Sequence, residues 1–275
     1  IIVKRLGFIG LGLMGEPMAK NLVEANYEVT VYDINSEAVK RLEAVGAKGV
    51  SSPKAVAEST DVILTMLPNG PEVREVVLGK NGVVEGVREG QILIDMSSIA
   101  PLVSQEIARE LSAKGVSTLD APVSGGVEKA KSGTLAFMVG GEESTFSKCK
   151  QILEVMGGSV TLVGGTGAGQ TTKLVNQMVV AVNIAAVAEA LTFGKKAGVE
   201  PEKIFNAIRQ GLAGSQCLED KAPRMLSGDF EPGFRMNLHI KDLSNVFETS
   251  RDLHTAVPLT AQVMEMMQVL VDRKS

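Results

Sequence analysis

Lys173 opens the stretch TTKLVNQMVVAVNIAAVAEA (residues 171–190), in which fifteen residues pass without a charge before Glu189. In a helix, positions 173, 176, 177 and 180 share one face, so Lys173, Asn176 and Gln177 project together from an otherwise apolar segment. Three polar groups on such a face need a polar neighbour, because burying them unpaired is costly. The chemistry that fits is reduction of a carbonyl: hydride reaching the carbon leaves an alkoxide, which must be protonated or held as it forms. A lysine ammonium does both, starting from an ordinary pKa of about 10.4, and partial desolvation would bring the reverse oxidation within reach of neutral pH. The bland alternative is a lysine snorkelling at a helix start, the end where the macrodipole opposes a cation.

A hydride donor has a place in the chain. GFIGLGLMGEPMAKNL sets Gly10, Gly12 and Gly15 in a G-x-G-x-x-G spacing directly after a strand-like run and at the opening of a helix. The glycines allow a tight turn, close approach of backbone to a pyrophosphate and close helix–strand packing, with the phosphates on the helix N-terminus. Leu11, Leu13 and Met14 fill the turn and are counted with the cofactor set. The next run, EVTVYD, ends in Asp33, about twenty residues on, where a carboxylate can accept from an adenosine ribose. Ile34, Asn35 and Ser36 offer no arginine for a ribose phosphate, and Asp33 would repel one, so NAD(H) is expected ahead of NADP(H). TMLPNG (65–70) and DMSSIAP (95–101) follow further strand-like runs, which puts Leu67 and Pro68 beside the cofactor and Ser97 or Ser98 near the nicotinamide ribose. An ordinary strand-to-helix turn and a helix cap are the competing readings of those two segments. DAPVSGG (120–126) ends another strand with Ser124, Gly125 and Gly126, a concave donor set suited to a carboxylate. For that loop alone, plain flexibility is the alternative.

These residues imply their supports. RLGFIG, EVTVYD, DVILTML, QILIDMS and STLDAPVS read as strands separated by amphipathic helices, the pattern of a parallel sheet covered on both faces. Pro17, Pro53, Pro71 and Pro101 stand near helix starts, and NSEAV after Asp33 supplies polar caps. TLAFMVGG and SVTLVGG close the strand-rich half. Beyond GGTGAG (164–169) helical periodicity takes over through 170–197, 201–210, 216–226, 238–252 and 259–272. The expected fold is an α/β Rossmann-like domain over 1–164 followed by an all-α domain over 165–275.

Composition agrees with a soluble protein. Of 275 residues, 44 % are hydrophobic and 22 % charged, and the net charge is −4, which favours neither nucleic acid nor an acidic membrane surface. Cys149 and Cys217 stand far apart and no close His/Cys set accompanies them, so neither a disulfide framework nor a metal site is expected and a reducing, cytoplasmic setting fits. IIVKRLGFIG is broken too early by Lys4 and Arg5 to be a signal segment. The uncharged run 174–188 is short for a membrane span and carries Asn176, Gln177 and Asn183. His239 is expected on a helix face near Lys241, and His254 in a loop or at the surface.

GFIGLGLMGEPMAKNL, DAPVSGGVEKAKSGTLAFMVGG, KLVNQ and HIKDL together resemble the β-hydroxyacid dehydrogenase family over essentially the whole chain. The resemblance implies that Lys173 is the catalytic acid/base, that Ser124, Gly125, Gly126 and Asn176 hold the substrate, that Lys241 reaches cofactor and substrate, and that Asp242 orients Lys241. MLPN, LIDMSSIAP, AIRQGLAGS and VPLTAQVMEMM are similar to members that reduce tartronate semialdehyde. Gln177, counted with the substrate set, stands where several relatives carry a second asparagine, which points the same way. Substrates of the 3-hydroxyisobutyrate or four-carbon semialdehyde type form the alternative, and a non-catalytic dinucleotide-binding module a more distant one. The partner expected is a small carboxylate-bearing aldehyde or hydroxy acid, without metal, nucleic acid or membrane. The apolarity of 178–194 suggests a homodimer or homotetramer. The chain opens without methionine and stops at VDRKS, where family members usually continue into one more short helix.

Overall fold

Short apolar runs bounded by polar turns become the strands of one mixed sheet in the computed structural model, which describes residues 5–231 and 233–272. Residues 1–4 of the N-terminal stretch and 273–275 of VDRKS lie outside the described residues. The strands are β1 (Arg5–Ile9), β2 (Glu28–Tyr32), β3 (Lys48–Gly49), β4 (Val62–Thr65), β5 (Ile92–Asp95), β6 (Ser117–Asp120), β7 (Val123–Ser124), β8 (Leu135–Gly141) and β9 (Gly157–Gly164). Between them run α1 (Gly15–Glu24), α2 (Ser36–Glu43), α3 (Pro53–Ser59), α4 (Gly70–Leu78), α5 (Val83–Gly86), α6 (Pro101–Ser112), α7 (Gly126–Ser132) and α8 (Glu143–Met156). The remainder is helical: α9 (Ala168–Lys196), α10 (Pro201–Ile208), α11 (Gln216–Ser227), α12 (Met236–Asp252) and α13 (Pro258–Asp272).

The strand order is β3-β2-β1-β4-β5-β6-β8-β7, with β9 on β8. The first six in that order pair in parallel, whereas β8 runs antiparallel to β6 and β7. The parallel reading of the strand-rich half is thereby corrected at its far side, where the short Gly125 turn and α7 let the chain fold straight back. Alternate residues build two cores. Leu6, Phe8, Val62, Leu64, Ile92 and Ile94 pack under α1, α2 and α8, while Ile9, Ile63 and Leu93 pack under α3, α4 and α6. Helix starts follow local chemistry: Asn35 accepts from the Glu37 N–H at 3.1 Å, Ser52 accepts from the Ala55 N–H at 3.1 Å, and Pro53, Pro71 and Pro101 occupy first turns.

The chain divides into two compact units, Ile1–Lys173 and Leu174–Ser275. The division falls inside α9, beyond the boundary expected at 164/165, because the head of that helix is hydrogen-bonded into the first unit. In the second unit α9 lends Leu174 and Ala181 to a core with Leu243, Val246, Val263 and Met267, and Leu191 to another with Phe205, Leu218 and Ala222. By length and hydropathy α9 could cross a membrane. It also carries the buried polar side chains of Gln170, Lys173 and Gln177 and packs Leu174, Ala181 and Leu191 into these two cores.

Reversal of strand order between β1 and β4 opens a crevice at their carboxyl ends, the place where doubly wound sheets take ligands. Gly15 maintains it: a Cβ there would stand 1.9 Å from the Gly10 carbonyl oxygen, whereas a Cβ on Gly12 meets nothing within 4 Å. Gly15→Ala is therefore expected to destabilise the chain by about 1–3 kcal/mol, some 2–4 °C of Tm for each. Gly12→Ala should stay within roughly 1–2 °C of wild type, and thermal unfolding of both variants checks the contrast.

Candidate active site

The glycine turn after β1 has two fixed corners and one open one. Gly10 has φ +96° and a Cβ there would lie 2.3 Å from the Met66 carbonyl, so Gly10 and Gly15 are demanded by the fold itself. Gly12 is exposed over open space and α1 has no side-chain cap, which leaves its first turn able to take an anion. Leu11 is buried, Met14 partly so, and Leu13 exposed. A pyrophosphate fits this cradle. Asp33 accepts from the Leu11 N–H at 2.6 Å through Oδ2 and from the Asn35 N–H at 2.7 Å through Oδ1. It ties the turn to the end of β2, a task the sequence reading did not foresee, and each oxygen keeps a lone pair for a ribose hydroxyl. The nearest cations on α2 are already engaged, Lys40 with Glu37 and Arg41 with both oxygens of Glu16.

The loops after β4 and β5 are joined by a hydroxyl. Ser97 Oγ donates to Asp95 Oδ1 at 2.6 Å and accepts from the Leu67 N–H at 2.9 Å, and Thr65 donates to the same Asp95 oxygen at 2.8 Å. Ser97 is 0 % exposed, so its expected contact with a ribose is corrected: a hydroxyl without surface is an internal tie. The half-buried Ser98 is the one of the pair able to reach a ligand, while Leu67 is half-buried and Pro68 exposed at the crevice.

Asp95 and Asp120 stand opposite each other on β5 and β6, both buried, and removal from water pushes each carboxyl up to about 6. Asp120 accepts from the Gly167 N–H at 2.7 Å and the Gln170 N–H at 2.8 Å, fixing the start of α9. Gln170 in turn accepts from the Ile99 N–H at 3.1 Å and donates to the Ser97 carbonyl at 2.7 Å. Lys173 follows one turn on, 7 % exposed. Sequence reasoning missed Asp95, Asp120 and Gln170; acidic residues closing the apolar runs LID and TLD, and a glutamine three before Lys173, were the available signals.

Ser124 lies partly buried in β7, followed by exposed Gly125 and Gly126 at φ +143° and +71°. A Cβ on Gly125 would run into Lys129, whereas Gly126 meets nothing within 4 Å. The backbone here is therefore open to an approaching ligand.

The second unit carries a polar chain of its own. Asn176 Nδ2 donates to Gln177 Oε1 at 2.9 Å, Gln177 Nε2 donates to Asp242 Oδ2 at 2.5 Å, and Lys241 Nζ lies 2.7 Å from Asp242 Oδ1. Gln177 is 5 % exposed with both ends of its amide engaged, so it links Asn176 to Asp242 and has little surface for a substrate. His239 lies on α12 two residues before Lys241, as expected, and is buried with Nε2 3.1 Å from the Gln177 carbonyl, while His254 is exposed. No group of three or more metal-ligating side chains occurs among the described residues.

A glycine turn, an aspartate at the end of β2 and a crevice at the strand-order reversal define an NAD(P)-binding oxidoreductase domain. Residues 5–165 match the NAD binding domain of 6-phosphogluconate dehydrogenase, and residues 167–274 the NAD-binding family of NADP-dependent 3-hydroxyisobutyrate dehydrogenase. The chain is 44 % identical to 2-hydroxy-3-oxopropionate reductase of Escherichia coli, over 95 % of this chain and 89 % of that one. It is 39 % identical to mitochondrial 3-hydroxyisobutyrate dehydrogenase of Mus musculus, over 95 % and 81 %. Among solved structures, 3-hydroxyisobutyrate dehydrogenase of Mycobacterium tuberculosis with L-serine superposes with a TM-score of 0.93 at 33 % identity, covering 98 % of this chain and 94 % of that one. The chain belongs to the β-hydroxyacid dehydrogenase family.

The buried acids yield a test. A carboxyl raised from 3.8 to about 6 holds its proton more tightly in the folded chain, so its stabilising contribution is full below pH 3.8 and is lost as pH rises through about 6. Asp95→Asn removes that loss. Its stability relative to wild type should improve by about 2–3 kcal/mol between roughly pH 4 and pH 7, measured by denaturant titration at both values; a difference independent of pH would contradict the assignment.

Proposed function

We propose that this chain reduces tartronate semialdehyde (2-hydroxy-3-oxopropanoate) to D-glycerate with NADH. The carrying observation is Lys173, buried in the second turn of a helix whose first turn is hydrogen-bonded through Gln170 to the loop after β5. Identity to the Escherichia coli reductase supports the substrate, and the open Gly12 cradle, Asp33 and the paired cations of α2 support NAD(H) ahead of NADP(H).

Gly10 to Gly15 would hold the pyrophosphate and Asp33 the adenosine ribose, with Leu67, Pro68 and Ser98 bordering the nicotinamide half. The bound cofactor supplies a hydride to the aldehyde carbon. Lys173 gives its proton to the aldehyde oxygen as negative charge develops there, and is reprotonated from solvent. Ser124 Oγ and the N–H groups of Gly125 and Gly126 anchor the carboxylate. Asn176 is taken to hold the substrate and Lys241 to meet cofactor and substrate, with Asp242 orienting Lys241 and Gln177 holding Asp242 and Asn176 in place. Self-association is also inferred, because Val175, Val179 and Phe193 leave apolar surface along α9, exposed by 54 %, 54 % and 75 %.

A second reading, reduction of a methylmalonate-type semialdehyde to 3-hydroxyisobutyrate, is favoured by the likeness to the mouse and mycobacterial proteins. Carboxylate anchor and acid serve either substrate. Initial rates of NADH and NADPH oxidation with tartronate, methylmalonate and succinic semialdehydes decide between them, with tartronate semialdehyde and NADH expected to be preferred. Lys173→Ala should keep its affinity for NADH and lose about 10²–10⁴-fold in turnover; full turnover in that variant would refute the mechanism.

A further inference from the structure

Two side chains that take no part in the proposed reaction hold the head of α9. Gln170 is 0 % exposed and directs both ends of its amide at one loop, accepting from the Ile99 N–H at 3.1 Å and donating to the Ser97 carbonyl at 2.7 Å. Asp120 receives the N–H groups of Gly167 and Gln170 at 2.7 and 2.8 Å. Sliding is blocked by backbone: a Cβ on Gly169 would stand 2.4 Å from the carbonyl oxygens of both Asp120 and Met138. Asp120 therefore fixes the start of α9 along its axis, and the amide of Gln170 fixes its rotation.

Lys173 lies three residues beyond Gln170, about 4.5 Å further along the helix and about 60° round it, so a rigid first turn carries that placement to the Lys173 Cα. The loop gripped by Gln170 is the one Ser97 ties to the Leu67 N–H at 2.9 Å. Position of the ammonium is thus referred to the same strand-end loops that border the cofactor crevice. Reacting atoms displaced by about 1 Å lose on the order of 10²-fold in rate, which gives such a tie kinetic weight.

We infer that Gln170, with Asp120 as its partner, is a positioning residue that sets Lys173 against the loops after β4 and β5. The inference rests on the reading of Lys173 as the acid. Gln170→Leu removes both amide bonds at similar volume. Gln170→Glu copies the amide only while protonated, when its O–H donates to the Ser97 carbonyl and its C=O accepts from Ile99; ionised, it sets one acceptor against another. The titratable groups facing this turn are Asp120 on β6, Asp95 on β5 by way of Ser97, and Lys173 on α9 itself. Burial and the two acids raise the introduced carboxyl, while the lysine opposes them.

Turnover, NADH affinity and thermal unfolding should be measured for the intact wild type, Gln170→Leu, Gln170→Glu and Lys173→Ala. Gln170→Leu is expected to lose about 10- to 100-fold in kcat with NADH Kd within about twofold. Gln170→Glu is expected to approach wild-type kcat at low pH and to fall toward the leucine variant as pH rises, across about pH 6 to 10. A merely structural role predicts that the ratio of glutamate variant to wild type stays flat with pH, and that result would overturn the inference. Wild-type kcat in Gln170→Leu would do the same. Should the leucine variant not fold, the pH ratio within one folded glutamate sample decides. An inactive wild type, or an active Lys173→Ala, would instead sink the functional reading; an active wild type, a dead Lys173→Ala and an unaffected Gln170→Leu would sink this inference alone.

Discussion

A buried carboxylate at the end of β6 determines where the long helix begins. Asp120 takes the first N–H groups of α9 into the sheet's own hydrogen-bonding system, and every later residue of that helix inherits its place from this start. The device recurs along the same edge of the sheet. Asp33, after β2, receives the Leu11 and Asn35 N–H groups, and Asp95, ending β5, receives Thr65 and Ser97. Three acids at three strand ends thus hold the loops from which a ligand site must be built. Burial of two of them opposes ionisation, a cost accepted because their hydrogen bonds fix loops that no apolar packing could orient.

Much of this was legible in the residue pattern. Apolar runs such as VILT and ILID, short, β-branched and bounded by polar turns, read as strands buried on both faces, and the periodicity after residue 170 reads as helical. The glycine spacing located the crevice because each glycine answers a separate geometric demand. What escaped had physical reasons. Lys48–Gly49 pairs through two backbone registers and carries no hydrophobic signal, and the antiparallel return of β8 depends on a turn rather than on composition. Ser97 looked like a ligand contact because a serine after a strand serves equally well as an internal tie, and only burial separates the two roles.

The polar residues of α9 illustrate the same ambiguity from the other side. Lys173, Asn176 and Gln177 were read together from their shared face, yet Gln177 is engaged at both ends by Asn176 and Asp242. Helical spacing shows which side chains are neighbours, whereas burial and partners show which of them have capacity left. By that criterion Asn176, half-buried, and Lys241, 21 % exposed, are the members of the network with surface to offer. Tartronate and methylmalonate semialdehydes differ by a hydroxyl against a methyl at C2, so discrimination between them has to come from the residues beside that group, because the proposed carboxylate anchor and acid would serve either.

The central claim is that the proton reaching the aldehyde oxygen is the one carried by Lys173. The pH dependence of kcat for semialdehyde reduction, compared between wild type and Lys173→Arg under saturating NADH, tests it most directly. An alkaline limb in wild type that disappears in the arginine variant, whose guanidinium keeps its proton throughout, is the expected result even if the variant is slower. An alkaline limb unchanged by the substitution would mean that another group supplies the proton, and would contradict the account.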